Sequence, residues 1–103
     1  MRQETIRLIV ELACNSLLDA GFKRVNVSTN APITYEDVVH MFTFMKERGV
    51  CFVSPDGLSG SIYGSREAHA YIRAFHDLLH YQLKADFSFA GECQVADAFL
   101  DIS

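Results

Sequence analysis

Arg73-Ala74-Phe75-His76-Asp77-Leu78-Leu79-His80, followed closely by Asp86-Phe87-Ser88-Phe89-Ala90-Gly91-Glu92, is the stretch around which the rest of the chain can be arranged. With about 3.6 residues per helical turn, side chains four apart lie on one face. His76 and His80 therefore point the same way, and Glu92 returns at the head of a further helix. Two imidazoles at that spacing, joined by a carboxylate from a neighbouring element, match a site for zinc or another divalent transition metal. On this reading His76, His80 and Glu92 are the metal ligands. Asp77 either orients a histidine or serves as a catalytic base beside a bound water. A metal-free alternative stays open, in which the same histidines bond a carboxylate and staple two helices together.

Working outward, Ser65 is the expected cap of a helix running to Lys84, with Glu67 in its first turn. Its apolar side is Tyr71, Ile72, Phe75, Leu78, Leu79 and Leu83. His69, His76 and His80, three of the chain's four histidines, fall on one stripe beside that side, at the border of core and water. Asp86 to Gly91 reads as a tight turn, with Gly91 allowing a sharp bend and Ser88 capping a last helix over 91–100. Val95, Ala96, Phe99 and Leu100 are its expected buried face. Cys93 points about 100° away from Glu92 and is left out of the site.

Upstream, Ile6, Ile9, Val10, Ala13 and Leu17 recur at helical spacing and predict a helix over 5–20, closed by Gly21. Phe22 to Ser28 alternates as a short edge strand guarded by Lys23 and Arg24. Thr34 with Asp37 resembles a capping box, and Val38, Met41, Phe42 and Met45 form the buried stripe of a helix ending at Gly49. His40 lies opposite that stripe, toward solvent. Val50–Val53 reads as a strand, Ser54-Pro55-Asp56-Gly57 as a turn, and Leu58 to Tyr63 as its returning partner. The expected fold is α+β: three main helices and a short C-terminal one, with a small antiparallel sheet of two or three strands. The hairpin is expected to pair with the 22–28 strand. At 103 residues, the chain reads as a single domain over 1–103.

Half the residues are apolar and the formal charge is −4. That balance supports a continuous core and argues against nucleic acid, which needs a concentrated basic face. No apolar run reaches the roughly 18 residues of a membrane span, and the N-terminus lacks the pattern of a signal peptide. The three cysteines (Cys14, Cys51, Cys93) are widely spaced; reduced thiols in a cytoplasmic protein are expected.

His76-Asp77-Leu78-Leu79-His80 echoes the H-E-x-x-H motif of zinc proteases, with Asp for Glu. The carboxylate is one methylene shorter, which argues against that chemistry. Arg73 to His80, followed by Asp86-Phe87-Ser88, Gly91-Glu92 and Ala96, resembles an element of bacteriophage and prophage proteins, with Leu79 where other versions carry glycine. The resemblance implies that His76, Asp77, His80, Gly91 and Glu92 form one unit in a phage-encoded protein of the host cytoplasm. Small size and acidity favour an accessory protein acting on a protein partner. The alternatives are a small metal-dependent hydrolase using the His/His/Glu site and a winged-helix-like DNA-binding protein. Oligomeric state is not readable from this sequence.

Overall fold

The computed structural model describes residues 3–55 and 66–102. Helix α1 (Gln3–Asp19) ends where its glycine predicts. Gly21 takes a φ of 99°, Phe22 N–H bonds Leu17 O at 2.8 Å and Gly21 N–H bonds Leu18 O at 2.9 Å. This paired closure turns Phe22 back into the core.

Strand β1 (Arg24–Val27) follows, then helix α2 (Tyr35–Phe44). Thr34 caps α2, its hydroxyl accepting from Asp37 N–H at 3.2 Å. The helix ends at Phe44 rather than at the Lys46-Glu47-Arg48 charges, which tighten into a 3₁₀ turn closed by Gly49 at φ 68°. Strand β2 (Val50–Val53) comes next.

The strands pair as expected in partner but not in direction. β1 and β2 run parallel, with Arg24 opposite Val50 and Val27 opposite Val53. The antiparallel sheet is therefore overturned. The reason is topological: α2 lies between the strands and carries the chain back, so β2 sets out from the same end as β1. The strand expected over 58–63, the glycine end of its turn and the Ser65 cap all lie outside the described residues.

Helix α3 (Arg66–Leu83) is the central element, packing on α1, α2, α4 and both strands. Its Phe75 and Leu78 join Leu17, Val38, Phe42, Val53 and Val95 in the core. Leu83, placed with the apolar side by its spacing, is 44% exposed. Helix α4 (Phe89–Ile102) folds back on α3 through Val95 and Phe99. Ala96, expected to be buried, faces outward instead. Among the described residues no helix is long and apolar enough to cross a membrane.

Candidate metal centre

The site is built at the joint between α3 and α4. Helix α3 stops at Lys84, which takes a left-handed φ of 55°. Ala85 N–H then bonds His80 O at 3.1 Å, and the Ala85 carbonyl comes round to 2.8 Å from His80 Nδ1. Asp86 opens the next turn, its Oδ1 accepting from Ser88 N–H at 3.1 Å and from the Ser88 hydroxyl. These two bonds, the hydroxyl's first, hold the Asp86 carboxyl below its usual range. The Ser88 hydroxyl accepts in turn from Gly91 N–H at 3.2 Å, and Ser88 O accepts from Glu92 N–H at 2.9 Å. Ser88 is thus the N-cap of α4, and Glu92 is delivered by its first turn.

Gly91 is required for a different reason from the bend anticipated in the sequence. It sits inside α4, and a Cβ there would lie 2.0 Å from the Asp86 carbonyl oxygen. The turn is packed against the glycine's bare face.

His80, expected at the border of core and water, is fully buried. Phe87 closes over it edge-on at 4.7 Å between ring centroids, and the His76 ring stands at the same separation. A carbonyl oxygen can only accept, so the Ala85 contact fixes Nδ1 as the donor. In the neutral ring, Nε2 then presents a lone pair. Nε2 makes no directed hydrogen bond, and Glu92 Oε1 rests directly against it. Two acceptors in contact beside a buried ring repel unless a cation or a proton lies between them.

His76 completes the group. Its Nε2 is 3.7 Å from the same Glu92 oxygen, and ligand atoms of His76, His80 and Glu92 all lie within 4.8 Å of one another. Ligands about 2.1 Å from one tetrahedral ion sit roughly 3.4 Å apart, so the group could hold a divalent metal after small side-chain adjustments. His76 and Glu92 are 42% and 48% exposed against 0% for His80. The group is closed by protein on one side and open on the other.

Asp77 is not brought to the centre of this group. Its carboxylate lies 3.5 Å from His76 Nδ1, the ring nitrogen other than the one near Glu92. A carboxylate in that position orients a ligating imidazole. Its hydrogen bond to His76, helped by charge from Asp77 and Glu92 and opposed by burial and Arg73, raises the His76 pKa above the ordinary value. His69 shares the helix stripe but stands apart from the three ligand atoms; burial, then the Arg73 charge, lowers its pKa.

Two side chains of this region, both part of the quoted motif, were given no role at the site by the sequence. Phe87 seals His80, and Arg73 lines the grooves on both sides of His76 and Glu92. The Arg73 spacing, one turn ahead of His76, was the available signal. Comparison of the chain with protein-family profiles, curated proteins and solved structures gives no match.

Proposed function

We propose that this protein is a small metal-dependent hydrolase whose divalent transition metal, with zinc as the first choice, is held by His76, His80 and Glu92. The observation that supports the reading is the contact between the buried His80 Nε2 and the Glu92 carboxylate, with Nδ1 already committed to Ala85 O. A cation resolves that contact, and the Asp77–His76 pair supplies the second carboxylate usual behind a ligating histidine. Three protein ligands with an open side are the pattern of catalytic rather than structural zinc. A metal bound there would polarise a water or a substrate oxygen. The chain's own contribution is to hold the two imidazoles and the carboxylate in place, with Asp77 as a positioning residue.

Metal analysis of the purified protein tests this directly. About one equivalent of a divalent transition metal is expected, falling to background in His80→Ala and in Glu92→Gln. A metal-free protein whose melting temperature ignores both zinc and chelator would sink the proposal, leaving a proton-bridged staple between His80 and Glu92.

A second reading, action on a protein partner, is favoured by Ile33, Phe44 and Phe89, which are 80%, 64% and 86% exposed. It predicts that Ile33→Ser and Phe89→Ser weaken partner capture while metal content stays unchanged. Capture at wild-type strength by both variants would remove it.

A further inference from the structure

The walls around the candidate metal centre divide into two grooves. One, of about 510 Å³, lies between α3 and α4, with His69, Ile72, Val95, Ala96 and Phe99 beyond the centre. The other, of about 320 Å³, leads away past Pro32, Ile33 and Phe87, with Ser54 and Asp77 alongside. The two share only Arg73, His76 and Glu92. His76 and Glu92 are the exposed members of the ligand group, and buried His80 closes it from behind. The open side of the centre therefore lies where the grooves meet, with room leading off in two directions.

Away from that junction the walls are alike in chemistry. The α3–α4 wall is hydrocarbon except for His69, whose ring is uncharged at pH 7 because burial, then the Arg73 charge, lowers its pKa. In the second groove Asp77 is turned toward His76 Nδ1 at 3.5 Å, and Ser54 O accepts from Arg73 Nη1 at 3.0 Å. Pro32, Ile33 and Phe87 are left as the surface leading outward. At about 30 Å³ for each water, even the smaller groove has room for about ten. A short hydrocarbon chain fits either one.

We propose that the substrate is an acyl compound with an internal ester or amide bond and a hydrocarbon arm in each groove. This deepens the metal-dependent reading. The reactive carbonyl rests on that reading, whereas the two arms rest on the groove walls. In the hydrolysis, the oxygen of water bonds to the carbonyl carbon and the ester carbon–oxygen or amide carbon–nitrogen bond breaks. The departing alcohol or amine takes a proton from the water.

Calorimetric titration of the full chain, zinc-loaded and chelated, with N-butylpentanamide, pentanamide and N-butylacetamide tests this. The two-armed amide should bind saturably and at least about tenfold more tightly than either one-armed amide. Ala96→Phe obstructs one groove and Ile33→Ser thins the wall of the other, both at exposed positions. Each should weaken N-butylpentanamide about fivefold, and the double variant about twenty-five-fold, because separate grooves give independent losses. A one-armed amide fills one groove, so only one of the two variants should weaken it. Equal binding of one-armed and two-armed amides, a loss for N-butylpentanamide in only one variant, or no saturable binding would each overturn the proposal. Two-armed selectivity in a chain that takes up no zinc supports the arms and sinks the metal reading alone. Zinc uptake without that selectivity sinks this inference and leaves the metal reading standing.

Discussion

At the scale of single residues, the site depends on groups with no room to change. At Gly91 even a methyl group would enter the Asp86 carbonyl, so Gly91→Ala must push the turn away from α4. A loss of about 2–3 kcal/mol of stability is expected from such overpacking, measurable as a lower urea midpoint, together with weaker metal retention as Glu92 moves. An unchanged midpoint would contradict the close packing. His80→Ala removes a buried ring and its bond to Ala85 and should be destabilising by about 2–4 kcal/mol even in metal-free protein. Asp86 gives a pH signature. Its pKa is lowered in the folded state, so its contribution is present above the unfolded value and is lost as pH falls through the folded one. Asp86→Asn should therefore be less stable than wild type at pH 7, and the gap should narrow in unfolding curves taken at successively lower pH, closing once the folded carboxyl is protonated. A gap that persists there would assign the effect to something other than the carboxylate charge.

At the scale of elements, α3 ends on Lys84 in a left-handed conformation that glycine adopts without strain. Lys84→Gly is expected to raise stability by up to about 1 kcal/mol, read from the same urea curves. The helices and their caps were legible because caps and apolar stripes are local: Thr34, Ser88, Gly21 and Gly49 all act within a turn of their own position. The grouping of His76, His80 and Glu92 was legible for the same reason, since His76 and His80 share a helix and Glu92 lies one turn into the next. Strand direction was not, because it depends on how α2 returns the chain in space. The burial of His80 was equally hidden. It follows from Phe87 and Ala85 closing over the ring, contacts that the helical period cannot report.

At the scale of the whole molecule, a metal bound only by the folded chain adds to global stability by mass action. At a free-ion level about a thousand times the dissociation constant, the gain is about 4 kcal/mol, or more than ~15 °C in a domain of this size. A chelator should lower the melting temperature correspondingly in wild type and have no effect in His80→Ala. Cys51 offers an independent gauge of opening. Burial above all, then the Asp77 charge, pushes its thiol pKa up to about 12, so it should react with a thiol reagent at pH 8 only when the fold opens. Cys93, which is exposed, should react at once. Equal labelling rates for the two thiols would contradict the packed core. The joint between α3 and α4 also bears on the order of folding. All three candidate ligands lie within residues 76–92, on two consecutive helices, whereas the β1–β2 ladder joins residues far apart in sequence. Closing the short span costs less chain entropy than aligning the strands, so the helical hairpin is the cheaper nucleus. Added metal should then act mainly on the refolding limb of a stopped-flow experiment, speeding folding and leaving the unfolding rate nearly unchanged.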